Sequence, residues 1–348
     1  MTQQGSDQAM TDSLAMLEGQ TLLITGGTGS FGNAMVGHLL ASSVNMKLIV
    51  LSRDEMKQWH MAKRVGDDDR VRFFIGDVRD RERLYRAFSG VDYVIHAAAA
   101  KIVPTAEYNP FETVKTNVNG AMNVIDAAID SGVRKVVALS TDKASSPINL
   151  YGATKLASDK LFTAGSAYST GSGTAFSVVR YGNVMSSRGS VIPFFKQCVD
   201  QGLSIPITHP DMTRFMIDLP TAVNTVVRAL NMPGGGDILV KKSPSVRIRD
   251  LAQAVGPRTP TRTVGMRPGE KIHEEMIGSA EAPRTLEFPE FYRIFPSPVD
   301  FGNRTQTGAG VAVPPDFRYA SDSNPDYLTL NDLETWLQGN SSETELLL

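Results

Sequence analysis

Residues 140 to 155 read STDKASSPINLYGATK and bring an acid, two amines and a phenol close together: Asp142, Lys143, Tyr151 and Lys155. Tyr151 and Lys155 stand four apart, so in a helix beginning near Tyr151 they share one face. A free tyrosine, with a pKa of about 10, is no base near neutrality. A neighbouring ammonium favours its phenolate, which can take the proton of a hydroxyl group while hydride leaves the same carbon. Asp142 and Lys143 exceed what such an oxidation needs. As a surface ion pair they would contribute little. Directly after an apolar run, VRKVVALST, they point instead to a reaction with several proton transfers.

The scaffold for these groups is written in the alternation of short apolar runs with helical stretches. TLLITGG, KLIVLSR, VRFFIGDVRD, VDYVIHAAAA, VRKVVALST and AFSVVRYGN read as strands, with FGNAMVGHLLAS and NVNGAMNVIDAAIDSG among the helices between them. This rhythm predicts a doubly wound α/β domain, a parallel sheet covered on both faces with its ligands at the carboxyl ends of the strands. Past about residue 184 proline becomes frequent and the rhythm breaks, so residues 184–338 read mainly as a smaller substrate-binding lobe, DILVKK and RTVGMRPGE being isolated strand or loop pieces in it. TAVNTVVRAL, within 215–232, is expected to return to the main sheet, whose domain spans 19–183. Residues 1–18 read as a polar tail and 339–348 as a C-terminal tail.

Gly26, Gly29 and Gly32 lie between the first strand and its helix, in TGGTGSFG with Thr28, Ser30 and Phe31. Glycines there let the backbone approach a pyrophosphate seated on the helix N-terminus, the mark of a dinucleotide site. The second strand ends in LSRDEMK, and Ser52, Arg53 and Lys57 suit the 2′-phosphate of NADP. Asp54 keeps NAD open as the less favoured cofactor. Asp77 and Val78 fit the adenine edge, and Ala97, Ala98 and Ala99 allow close passage of the cofactor ribose.

A net charge of −2 argues against a nucleic-acid partner. One cysteine, Cys198, excludes an internal disulfide framework, and the five histidines show no metal-binding spacing. No apolar run approaches the ~18 residues of a membrane span. The start lacks the features of a secretory signal, so cytoplasm is the expected location.

The spacing of glycine loop and Tyr-x-x-x-Lys resembles the extended short-chain dehydrogenase/reductase superfamily. More narrowly, TGGTGSFG, LSRDEMKQ, STDKASSPINLYGATK, RYGNVMSSRGSVIPFF, MTRFMI and RPGEKIHEE resemble the inverting UDP-N-acetylglucosamine 4,6-dehydratases of the pseudaminic acid type of pathway, from about Leu17 to about Leu337. The resemblance is to the short soluble form, without the membrane-spanning region of longer relatives, and implies a homo-oligomer. It also implies a reaction: oxidation at C4 by Tyr151 and the cofactor, removal of the C5 proton by Lys143, protonation of the departing C6 hydroxyl by Asp142, and hydride return to C6. Thr141 precedes the pair and joins the catalytic set. Lys143 must be neutral to act, with Lys155 and the oxidised nicotinamide lowering its pKa. The matching positions further imply that Asn183 meets a substrate phosphate, that Arg214, Arg267 and Glu270 hold the UDP, and that Thr208 and Met216 line its pocket, with Lys101 reaching substrate or cofactor. A nucleotide-sugar 4-epimerase would need Tyr151 and Lys155 but no acid–base pair at 142 and 143. A non-catalytic NADP-binding regulator would need none of the four.

Overall fold

The computed structural model describes residues 13–169, 173–185, 187, 190–296 and 310–339. Strands β1 (Thr21–Thr25), β2 (Lys47–Ser52), β3 (Val71–Ile75), β4 (Tyr93–His96), β5 (Lys135–Thr141) and β6 (Ala175–Tyr181) lie parallel in the spatial order 3-2-1-4-5-6. The order reverses between β1 and β4, which opens a crevice at their carboxyl ends. Both faces of the sheet are buried, and the two-residue period of a strand divides its side chains between them. Leu22, Ile24, Leu48 and Val50 pack with Met35, Val36 and Leu39 of helix Ser30–Leu40 and with Ala222, Val223 and Val226 of helix Leu219–Asn231. Leu23, Ile49, Val94 and Val136 face the other way, onto Leu84, Val124 and Phe162 of helices Arg81–Phe88, Gly120–Asp130 and Leu150–Tyr168.

The sheet extends beyond what the strand rhythm suggests. Asp237–Lys241, expected as an isolated piece of the smaller lobe, runs parallel beside β6, and three antiparallel strands, Phe291–Ile294, Thr285–Glu287 and Val311–Ala312, continue the sheet to ten strands. The reason is burial on both faces: Leu239 joins one core cluster while Ile238 and Val240 join the other. A third cluster serves the remaining segments. It gathers Ile192 and Phe195, Ile205 and Ile207, Met216, Leu251 and Leu333 from helices Val191–Asp200, Ile248–Val255 and Leu330–Gly339 and the short strands between them. Cys198 is buried here as a free thiol.

A fully buried cation on β6 joins the layers. The Arg180 guanidinium donates to Asp159 on helix Leu150–Tyr168, to both carboxylate oxygens of Glu281 and to the Met276 carbonyl. Ser140 at the end of β5 donates to the same Asp159 oxygen at 2.8 Å.

The segment 13–18 is not the polar tail expected of it. Leu14, which caps the short 3₁₀ turn Ala15–Leu17, and Leu17, which ends it, are buried against the helix Leu219–Asn231 side of the core, and Asn231 donates to the Ser13 carbonyl at 2.7 Å. Residues 1–12, the rest of that tail, and 340–348 lie outside the described residues. Leu17→Ala should therefore destabilise the chain by about 2–5 kcal/mol in urea unfolding, as other buried leucine truncations do. A change within about 0.5 kcal/mol, typical of surface sites, would mean that this turn is not part of the folded core.

Candidate active site

A cleft of about 1580 Å³ runs across the carboxyl ends of the strands. At one end the chain leaves β1 through the glycine loop. Gly26 has φ +66°, and a Cβ there would stand 2.8 Å from the Ala98 backbone; at Gly32 it would meet the Gly27 carbonyl oxygen at 2.2 Å. The first glycine thus fits a left-handed turn against the β4 end, and the third lets the helix start directly on the loop. Asn33 donates to the carbonyls of Thr28 and Gly29 at 2.9 Å each, which fixes the loop. Gly29 caps helix Ser30–Leu40 without a side-chain acceptor, so an anion there would meet backbone N–H groups and the positive end of the helix dipole. Phe31 and Ala97 to Ala99 line the same wall.

At the β2 end, Ser52 is buried and its hydroxyl accepts from Gln58 at 3.1 Å, while Arg53 is exposed at the cleft edge, 3.6 Å from Asp77. Asp54 caps the next helix, accepting from the Lys57 N–H at 3.0 Å and pairing with the Lys57 ammonium at 3.3 Å. Asp77 is occupied by Arg79, through the guanidinium at 2.7 and 2.9 Å. Val78 lines the cleft beside it.

The reactive groups meet in the middle. Thr141 ends β5 and donates to Asp142 at 2.8 Å; Asn149 caps helix Leu150–Tyr168 by accepting from the Gly152 N–H, which sets Tyr151 and Lys155 on its first turns. Lys155 donates to the Leu139 carbonyl at 2.7 Å. Burial lowers its pKa, against the attraction of Asp159. Burial, with a contribution from Lys155, also pushes His96 down to about 3, so this ring stays neutral, bonded to Thr25.

Two charge states differ from expectation. Burial pushes the Tyr151 phenol up to about 12, and the strongest opposing influence is Lys143 rather than Lys155. The Lys143 ammonium lies 3.0 Å from Asp142 and 3.2 Å from Glu274. Burial pulls its pKa down, yet the two carboxylates outweigh this and hold it above the usual lysine value. The amine expected to be neutral when it acts is thus held as an ammonium in the resting site by the two acids beside it.

Every residue singled out from the sequence lines this cleft except Asp142, which is fully buried while Thr141 and Lys143 on either side reach the surface of the cleft. On the far wall, Lys101 and Arg267 make no hydrogen bond through their side chains among the described residues, and desolvation lowers the Lys101 pKa. Glu270 accepts from the Arg267 N–H at 3.0 Å and shapes that turn. Thr208 donates to the Met212 sulfur, and Met216 is buried beneath. Two of the cleft residues already have partners within the chain. Arg214 does not present an open fork, since its terminal nitrogens donate to the carbonyls of Thr213, Lys271 and Ile272. Asn183, expected at a phosphate, turns its oxygen to Lys143 at 3.4 Å.

Two participants escaped the sequence reading. Asn117 bonds to both backbone groups of Ala100 and to Thr154, joining the β4 loop to the Tyr151 helix from within a π-helical turn at Lys115–Asn119. Nothing in its surroundings in the sequence marks it. Glu274 lies in the quoted RPGEKIHEE, where HEE is a run of titratable residues that could have drawn attention.

A parallel sheet of this order, a glycine-cradled helix end and a Tyr-x-x-x-Lys helix beside β5 define an extended short-chain dehydrogenase/reductase fold. Residues 22–296 match the family described as polysaccharide biosynthesis protein, and the chain belongs to it. It is 49% identical over 325 residues to the UDP-N-acetylglucosamine 4,6-dehydratase (inverting) of Campylobacter jejuni subsp. jejuni serotype O:23/36 (strain 81-176), covering 91% of this chain and 97% of that one. It is 44% identical over 286 residues to the UDP-glucose 4-epimerase of Rickettsia canadensis (strain McKiel), covering 80% and 84%. Among solved structures it resembles Pen from Bacillus thuringiensis, with a TM-score of 0.86 and 34% identity over 95% of this chain and 99% of that one.

Gly26→Ala tests the cradle. The added methyl must displace the Ala98 backbone and strain a left-handed turn. Titration with the nicotinamide dinucleotide should show at least about a tenfold loss of affinity, equivalent to about 1.4 kcal/mol. Unchanged affinity in a folded variant would take the glycine loop out of the cofactor site.

Proposed function

We propose that the chain is an NADP-dependent UDP-N-acetylglucosamine 4,6-dehydratase that inverts C5, giving UDP-2-acetamido-2,6-dideoxy-β-L-arabino-hex-4-ulose. The observation that carries this reading is the Asp142–Lys143 pair, Lys143 lining one cleft with Tyr151 and Asp142 buried 3.0 Å behind it, a proton-transfer apparatus that oxidation alone does not require. The Campylobacter jejuni relative, matching nearly the whole chain, supports it. The second reading, a 4-epimerase, has the Rickettsia relatives in its favour; it leaves Asp142 and Lys143 without a task.

The glycine cradle and uncapped helix end fit a dinucleotide pyrophosphate. Arg53 fits a 2′-phosphate, and Asp54 is engaged as a helix cap rather than held ready for ribose hydroxyls. When bound, the nicotinamide supplies the hydride acceptor for C4 and the hydride donor for C6. Tyr151 acts as the phenolate and takes the C4 hydroxyl proton. Its own phenol proton is first lost to solvent, under the pull of the Lys143 ammonium and of the positive ring of the oxidised cofactor when bound. The resulting ketone acidifies the C5 proton. Lys143 must first lose its own proton, and Asp142 stands 3.0 Å away to take it. That single transfer makes the ammonium–carboxylate pair into an amine and a carboxylic acid, the two forms the elimination needs. Lys143 then takes the C5 proton. The Asp142 proton reaches the C6 oxygen by way of the Thr141 hydroxyl, which bonds to Asp142 and lines the cleft, and water leaves. As hydride returns to C6, C5 takes a solvent-exchangeable proton on the opposite face, which gives inversion and balances the proton that Tyr151 removed from the C4 hydroxyl and then releases. Lys101 and Arg267, which line the cleft as cations without side-chain hydrogen bonds among the described residues, suit the diphosphate.

Incubation with UDP-N-acetylglucosamine should give a product lighter by one water. In heavy water it should carry deuterium at C5; an unchanged mass with inverted C4 would establish the epimerase instead. Lys143→Met should keep oxidation at C4, seen as NADPH absorbance, while slowing water loss about 10²–10⁴-fold. Full dehydration by that variant would place the base elsewhere.

Arg53→Ala should weaken NADP by about tenfold or more, the worth of a charge-assisted phosphate contact at ~1.5–3 kcal/mol, with little effect on NAD. Equal losses in a titration with both cofactors would remove Arg53 from the phosphate site.

A further inference from the structure

The reaction as derived makes no use of Glu274, although it is the acid that completes the surroundings of Lys143. Its side chain is buried, with one carboxylate oxygen 3.2 Å from the Lys143 ammonium and 3.8 Å from Nε of Arg214. The other oxygen is buried and has no partner among the described residues. The placement is built. The Glu274 N–H donates to Ser321 Oγ at 2.9 Å, Ser321 N–H returns a bond to the Glu274 carbonyl at 2.8 Å, and Ser321 Oγ bonds to Thr213 at 2.7 Å. Arg214 is anchored in turn to the carbonyls of Lys271 and Ile272.

Lys143 thus sits between two carboxylates, and either could receive its proton. The charged groups that act on it are Asp142 on its own turn, Glu274 and Lys271 from one segment, Arg214 from strand Thr213–Ile217, and Tyr151 from the helix. The two acids are not equivalent. The Glu274 oxygen that faces Lys143 is shared with Arg214, whereas the Asp142 oxygen that faces Lys143 accepts from Thr141, which lines the cleft. A proton passed to Asp142 has a hydrogen-bonded route to the cleft through Thr141, and one passed to Glu274 has none among the described residues.

We infer that Glu274 is a positioning residue, paired with Arg214, which keeps Lys143 cationic in the resting site and directs its proton to Asp142 during turnover. The inference rests on the dehydratase reading for its second half. Its first half concerns a charge that can be read without substrate. The two halves therefore fail separately.

The test uses the full chain with NADP bound and ¹⁵N-labelled lysine side chains, the Lys143 resonance being assigned by its loss in Lys143→Met. In the wild type Lys143 should stay charged above the ordinary lysine pKa of about 10.4. In Glu274→Gln, which keeps shape but removes the negative charge, it should deprotonate about 1–3 pH units lower. Glu274→Asp, which draws the charge back, should shift it less in the same direction. On UDP-N-acetylglucosamine, the acidic limb of water loss should move to lower pH in Glu274→Gln by a similar amount, because the neutral amine is reached sooner, while the pH profile of C4 oxidation stays put. Superimposable Lys143 titrations in wild type and variants would overturn the inference, as would a wild-type Lys143 that is neutral below about pH 10. If the wild type releases no water from this sugar, the dehydratase reading falls, while the titration still decides the resting charge. A shifted titration with an unmoved limb of water loss would overturn the directing role.

Discussion

The structure hangs on a cation with no access to water. Arg180 is carried into the core by β6, and a buried guanidinium is tolerable only where acids and carbonyls meet it. Its partners are therefore obligatory: Asp159 from the catalytic helix, Glu281 and the Met276 carbonyl from the chain beyond residue 275. Through Asp159 and Ser140 the same cation sets the distance between the helix carrying Tyr151 and Lys155 and the end of β5 carrying Thr141 and Asp142. Through Met276 it holds the segment that delivers Glu274. One desolvated charge thus aligns three walls of the cleft.

How much of this the sequence discloses depends on the range of the contact. The glycine loop, the β1-to-helix turn and the Tyr151–Lys155 spacing are local, and a local pattern can be read from neighbours along the chain. The strand Asp237–Lys241 could not be read in the same way. Its apolar residues suit a sheet and helix Leu219–Asn231 runs directly before it, but its partner is β6, some 60 positions earlier, across a segment broken by prolines. Leu14 and Leu17 are likewise two apolar residues in a polar stretch, and their burial follows from helix Leu219–Asn231, far along the chain.

The charge of Lys143 shows the same limit in energetic form. In the sequence its conspicuous neighbours are Asp142 and Lys155, and a second amine so near suggests a depressed pKa. In space Lys155 is turned to the Leu139 carbonyl, and the dominant new neighbour is Glu274, 131 positions away. Asp142 and this long-range carboxylate together outweigh burial and raise the pKa. Residue types and motif spacing announce which atoms are available for proton transfer; the resting protonation is a property of the closed fold.

The late arrival of the outer strands also bears on how the chain comes off the ribosome. The six strands that open the sheet are complete once Tyr181 has emerged, yet β6 then presents an unpaired edge until Asp237–Lys241 follows, and the antiparallel cover ends with Val311–Ala312. An open, apolar parallel edge is a template for pairing with another chain. At about 5–20 residues per second the nascent protein carries that edge for several seconds. Clustering of ribosomes on one message, or a pause within residues 182–236, would place such edges side by side, so the interval between β6 and its partner is the stage of synthesis at which this fold is most exposed to misassembly.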